Sequence, residues 1–116
     1  PLTDETRHMF NIYKFRIMKK TAVVINIARG PIIKEEDLIQ ALQTGEIGGA
    51  ALDAVEEEPL SSDSPLWDMD NVIITPHCAA DSKLYIDRAI DLFCENLKLY
   101  EAGKPLLNEI DMKQRY

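Results

Sequence analysis

The sequence predicts an α/β fold, three parallel strands with flanking helices. Three observations predict it. Short apolar runs recur at residues 22–26, 49–53 and 72–75. Between and after them lie stretches whose apolar residues return at helical spacing. Strands that alternate with helices at these lengths are joined by right-handed crossovers, which is how a parallel sheet is connected.

The elements follow in chain order. Thr3-Asp4-Glu5-Thr6 sets hydroxyls and carboxylates ahead of Met9, Ile12, Phe15 and Ile17 or Met18, a helix-start pattern with a break at Asn11. Lys19 and Lys20 suit the end of that helix, where the dipole favours cations. His8 falls in this segment and reads as a surface residue. Ala22-Val23-Val24-Ile25-Asn26 is continuous and β-branched, the pattern of a strand buried on both faces. Gly30-Pro31 punctuates the chain. Glu35, Glu36 and Asp37 open a second helix with negative charge, Leu38, Ala41 and Leu42 give it an apolar face, and Gly45 ends it. Gly49-Ala50-Ala51-Leu52-Asp53 is a strand of small residues, which suggests close approach by a helix or ligand. Residues 54–71 form a loop long enough to suggest a functional one. Val72-Ile73-Ile74-Thr75 is the third strand. Asp81 and Ser82 can cap a last helix, whose apolar line from Tyr85 through Ile90 and Phe93 to Tyr100 stops at Gly103.

Composition narrows the classes. The 116 residues are 46% hydrophobic, enough for one small packed domain. A net charge of −7 disfavours nucleic acid and anionic membrane as partners. Cys78 and Cys94 make no disulfide framework, and no apolar leader precedes them, so a reduced cytoplasmic setting is expected. No apolar run is long enough to span a bilayer. The opening Pro1-Leu2-Thr3 has no Met and reads as a loop, as though the chain were entered inside something larger.

Open parallel sheets bind ligands outside the carboxyl ends of their strands. That rule points to residues 27–30, 53–59 and 76–80, which contain Arg29, Glu58 and His77. Singly, each also fits a plain role: an ion-paired surface arginine, one of three solvated acids, a loop histidine. Together they put a guanidinium, a carboxylate and an imidazole on one rim. The guanidinium can grip a carboxylate, and the imidazole can move a proton near neutral pH. A carboxylate beside an imidazole orients it and favours its charged form. This constellation suits hydride transfer on a 2-hydroxy acid.

The wording around those positions is more specific still. Ile25-Asn26-Ile27-Ala28-Arg29-Gly30 resembles the "I/V-N-x-A-R-G" strand end of the D-2-hydroxyacid dehydrogenase family. Residues 49–53 followed by Glu58-Pro59-Leu60 are similar to its "G-A-x-L-D-V…E-P-L" segment, and Asn71-Val72-Ile73-Ile74-Thr75-Pro76-His77 to its "N-V-x-x-T-P-H". Pro1-Leu2-Thr3 with Thr6, and the tail from Gly103 to Asn108, resemble its "P-L-T-x-x-T" and "G-K-P-x-x-N". The resemblance runs the length of the chain in order.

It implies the C-terminal half of a doubly wound, Rossmann-like sheet. Residues 1–80 would be half of the NAD-binding domain, and 81–116 a long helix and tail leading back toward a substrate domain. It implies Arg29 as the binder of the substrate carboxylate, His77 as general acid/base and Glu58 as its partner. Asp53 would meet the nicotinamide carboxamide. Thr3, Ile27, Ala28, Ala79 and Ala80, with Arg29 and His77, would complete the cofactor-binding positions. NAD is the implied cofactor and a small 2-hydroxy or 2-keto acid the substrate. The apolar edge of the strand at Ala22–Asn26 and the apolar face of the last helix lead to an expected homo-oligomer, a dimer, and no metal is expected. Some members of the family are nucleotide-responsive binding modules rather than enzymes, and an inert structural fragment is a further alternative. Departures from the pattern are Ala54 for Val, Lys34 for the usual acid before the second helix, and Cys78-Ala79-Ala80 for a glycine-containing turn. The five glycines form no G-x-G-x-x-G loop, so the chain by itself is expected to be inactive.

Overall fold

The computed structural model describes residues 1–113. It contains two compact units, one spanning Pro1–Ala79 and the other beginning at Ala80. Residues 114–116 of the expected second segment lie outside the described residues.

The first unit is built on a three-stranded sheet, in the order β1 (Val23–Asn26), β2 (Gly49–Leu52), β3 (Val72–Ile74). Both pairings are parallel, as the alternation predicts. Register places Val24, Ala50 and Val72 in one row and Asn26, Leu52 and Ile74 in the next, all on the same face. That face packs on helices α1 (Ile12–Arg16) and α2 (Glu35–Gln43) and on a 3-10 turn at Pro65–Asp68. Phe15, Leu38, Ala41, Ile47, Leu52 and Leu66 form its buried centre. The opposite row, Ile25, Ala51 and Ile73, faces away from that core. Val23 and Ile25 are 60% and 67% exposed, so β1 is buried on one face and not on two. A continuous apolar run shows that both faces tolerate burial; among the described residues of this unit, the helices cover only one.

The first segment also differs from its expectation. Residues 4–8 form turns and not a helix, because Thr3 and Thr6 bond each other: each backbone amide donates to the other's hydroxyl, at 2.8 and 3.2 Å. Short polar side chains compete with the helix for backbone donors in this way. Asn11, read as a break, is the N-cap of the short α1; its Oδ1 accepts from the Lys14 amide. The helix ends at Arg16, short of Lys19 and Lys20. The Ile12 amide donates to Asp37 Oδ2 at 3.0 Å, tying α1 to the first turn of α2.

Helix α2 starts without a side-chain cap from Lys34, as its sequence implies. A distant residue replaces it: Glu56 Oε2 accepts from the Glu35 amide at 2.8 Å, and the Glu56 amide donates to Glu35 Oε2 at 3.2 Å. Gly45 follows the helix at φ +66, a conformation that suits a residue without Cβ. The glycine of β2 is explained by backbone: a Cβ on Gly49 would lie 2.7 Å from the Asn71 carbonyl oxygen.

In the second unit, α3 spans Tyr85–Glu101, starting later than the Asp81 and Ser82 cap predicts. Its N-cap is Leu84, with no side-chain bond. Gly103 follows its C-cap at positive φ. Asn96 accepts the Leu107 amide at 2.7 Å, folding the tail back along the helix.

Candidate active site

The carboxyl ends of the three strands carry the predicted groups, and the backbone there is tied by two buried polar side chains. Asn26 ends β1 and is 6% exposed. Its Nδ2 donates to the carbonyls of Arg29 at 3.2 Å and Ala54 at 3.1 Å, and its Oδ1 accepts the Ala28 amide at 3.1 Å. One side chain thus joins the loop after β1 to the loop after β2. Buried amides need such partners, and here the partners define the rim.

Asp53 follows β2 and is equally buried. Its Oδ1 accepts the Thr75 hydroxyl at 2.5 Å and the Cys78 amide at 2.8 Å, and its Oδ2 accepts the Ala79 amide at 2.8 Å. The Thr75 hydroxyl, with the two amides, holds the carboxyl below the usual carboxylate range against the opposing effect of burial. The resemblance implies that Asp53 meets a cofactor amide. In the folded chain it first staples the turn that carries His77. Each oxygen of a carboxylate can take about two donors, so Oδ2, with one, keeps room for another.

His77 sits on that turn at φ +53, the left-handed region that costs a non-glycine residue free energy. Its Nδ1 lies 2.9 Å from Glu58 Oε2 and 3.1 Å from Oε1. The His77 contact holds the Glu58 carboxyl below its ordinary value, helped by the Val55 amide, which donates to Oε1 at 3.2 Å. Both side chains are partly exposed, at 49% and 40%. They line an open cleft of about 460 Å³ whose other walls are mostly apolar, including Pro59, Leu60, Trp67 and Ile74. Trp67 Nε1 donates to the Ser61 carbonyl at 2.9 Å, which fixes the indole in this loop. The sequence reading passes over Asn26's bonding, Thr75 and Trp67. Asn26 and Thr75 lie inside the family-like segments 25–30 and 71–77, whereas Trp67 was marked only by its place in the long loop after the second strand.

Arg29 is exposed, and its Nη1 donates to the carbonyl of Ala28 at 2.7 Å. Among the described residues no carboxylate lies within ion-pair distance of it, and it does not line the cleft of Glu58 and His77. The structure therefore joins two of the three predicted catalytic groups directly and places the third on the neighbouring loop. Of the predicted cofactor positions, Ile27, Asp53 and Ala79 line a second concavity of about 200 Å³, with Ile25, Ile73, Thr75 and Cys78. Thr3 is engaged with Thr6 and lines neither space. Ala28 is exposed beside Ile27, and Ala80 is an exposed residue of the second unit.

Comparison with known proteins gives the family of the chain. Residues 1–79 match the family model described as D-isomer specific 2-hydroxyacid dehydrogenase, NAD binding domain. The chain is 58% identical over 77 residues to glyoxylate/hydroxypyruvate reductase B of Cronobacter sakazakii, covering 66% of this chain and 24% of that protein. A D-isomer specific 2-hydroxyacid dehydrogenase from Xanthobacter autotrophicus Py2, solved with NADPH and MES, superposes with a TM-score of 0.92 at 44% identity, covering 100% of this chain and 47% of that one. An NADPH-dependent glyoxylate/hydroxypyruvate reductase from Sinorhizobium meliloti, solved with NADP and sulfate, gives 0.91 at 37% identity, with 100% and 38% covered. The chain thus spans less than half the length of each of these relatives.

Proposed function

Because this chain belongs to the D-isomer specific 2-hydroxyacid dehydrogenase family, we propose that the complete protein reduces small 2-keto acids to D-2-hydroxy acids with a nicotinamide dinucleotide. Glyoxylate and hydroxypyruvate are the first substrates to test, since relatives carry those names. The observation that supports the reading best is the His77–Glu58 pair, 2.9 Å apart at the carboxyl end of a parallel sheet.

The chemistry follows from which ring nitrogen is engaged. An ionised carboxylate only accepts, so Nδ1 carries the proton toward Glu58 and Nε2 is left for the substrate. In reduction, the imidazolium Nε2–H gives its proton to the keto oxygen as that oxygen becomes a hydroxyl. In oxidation the neutral Nε2 takes the hydroxyl proton. Glu58 fixes the ring's orientation in both directions. Arg29, unpaired with any described carboxylate, is the group that holds the substrate carboxylate.

The concavity beside Asp53 fits the nicotinamide end of the cofactor. Its walls are mostly apolar, including Ile25, Ile27 and Ile73, and Asp53 Oδ2 retains acceptor capacity for a carboxamide N–H. Bound there, the cofactor would supply or accept the hydride. That half is common to NAD and NADP. The sequence implies NAD, and solved relatives hold NADPH or NADP.

The test is oxidation of NADH and of NADPH by the complete protein with glyoxylate or hydroxypyruvate. Saturable turnover with one cofactor is expected. Arg29→Lys keeps the charge but loses the bidentate fork, so KM for the keto acid should rise by roughly tenfold or more. Dinucleotide binding without turnover on any 2-keto acid would identify a binding module instead.

A further inference from the structure

The sequence reads His8 as surface, but its side chain is only partly exposed and its Nε2 contacts Glu56 Oε1. Glu56 is held on its other oxygen by the Glu35 amide, and its own amide returns to Glu35 Oε2. His8 is itself fixed: its backbone is at φ +53, and its amide donates to the Pro31 carbonyl at 2.8 Å. The two residues therefore bridge the segment after Arg29 and the loop that ends in Glu58. Between those loops there is no slack. A Cβ on Gly30 would lie 1.6 Å from the Val55 carbonyl oxygen and 2.7 Å from the Glu56 nitrogen. The Val55 amide on the far side of that peptide donates to Glu58 Oε1.

We propose that His8 and Glu56 are positioning residues, locking the Glu58 loop against the Arg29 loop so that Glu58 stays in reach of His77. The proposal rests on the catalytic reading only for the roles of Arg29, Glu58 and His77. The mechanical link is continuous: His8 holds the Glu56 carboxylate, residues 55 and 56 lie on Gly30, and the Val55 amide aims Glu58. His8 and Glu56 touch no substrate in this scheme. If the lock is released, Glu58 loses time in its bond to His77, and the His77 ring loses its fixed orientation.

The readout is the titration of the Glu58 carboxyl, followed by NMR in the full chain, because its bond to His77 is what lowers it. His8→Phe keeps a ring and removes the donor. It should raise the Glu58 midpoint by roughly half a pH unit or more. His8→Gln restores an N–H at the reach of Nε2 and should return the midpoint to the unaltered value. In the complete protein kcat/KM should fall by on the order of tenfold in His8→Phe and recover in His8→Gln. Should His8→Phe fail to fold, Glu56→Gln, which keeps one acceptor and gives up the other, carries the same expectation. A folded variant with a lower melting temperature but an unmoved Glu58 midpoint would reduce His8 to a structural brace and overturn the proposal. Absence of turnover in the unaltered protein would overturn the catalytic reading alone, since the titration needs no turnover.

Discussion

His77 occupies a backbone conformation that few non-glycine residues adopt. Such strain, about 1–3 kcal/mol, persists only where the surroundings over-determine it. Here Asp53 does so, accepting from Thr75, Cys78 and Ala79 around the turn. The pair it presents has a definite pH signature. The Glu58 carboxyl is lowered in the folded chain, so folding releases protons from it. Its stabilising contribution is complete above its ordinary value of 4.5 and is lost as pH falls through the lower folded value. Replacing His77 by Phe removes the largest lowering contact but leaves the Val55 amide in place, so it should move the Glu58 midpoint back toward the ordinary value and reduce that acid-side loss, measured by NMR titration and by melting below about pH 5. Asn26→Ala should cost about 1–3 kcal/mol for each buried group it strands, seen in urea unfolding. The places of Arg29, Glu58 and His77 after the three strands were legible because strand ends can be found from apolar runs, while the choice of Glu58 among three successive acids rested on the resemblance. The bonds of Asn26 and Asp53 were not legible. Their partners include backbone groups of Ala54, Cys78 and Ala79, 25 or more residues away, and a residue type does not say which distant group it will meet.

At the scale of elements, α2 was readable to within a residue or two, because periodicity, an acidic first turn and a following glycine all agreed. The segment before it was misread because Thr3 and Thr6, good helix-start residues, bond each other instead. The N-terminus of α2 shows how the chain makes up for the missing cap at Lys34. Two carboxylates, Glu35 and Glu56, exchange backbone amides across it. Burial pushes Glu35 upward, and the charges of Glu56 and Glu57 add to this, against the Glu56 amide. A raised carboxylate has the opposite sign from Glu58: its ionised form is disfavoured by folding, so it costs stability as pH rises through the unfolded and folded values. Glu35→Gln keeps the carbonyl acceptor and cannot ionise. It should raise the melting temperature at pH 7 and leave it nearly unchanged near pH 4. A lower melting temperature at pH 7 would mean that the negative charge at the helix start outweighs its burial.

On the scale of the whole molecule, the chain leaves apolar surface without a described partner in each unit. Val23, Ile25, Ile27 and Ile73 are exposed in the first, and Ile86, Ile90 and Phe93 in the second. Surfaces of this kind, with β1 at an unpaired sheet edge, favour association. We therefore expect this chain alone to self-associate at micromolar concentration, and a monomeric sedimentation profile would count against it. It should also bind a dinucleotide weakly, because none of its five glycines forms the turn that holds a pyrophosphate. In the proposed reaction His77, oriented by Glu58, moves the proton in reduction of a 2-keto acid. Its most direct test is the rate at which the complete protein, saturated with its reduced cofactor, turns over glyoxylate or hydroxypyruvate with and without His77→Gln. A loss of about 10²–10⁴-fold in kcat is expected while cofactor affinity stays close to that of the unaltered protein. A His77→Gln protein that keeps most of its kcat would contradict it.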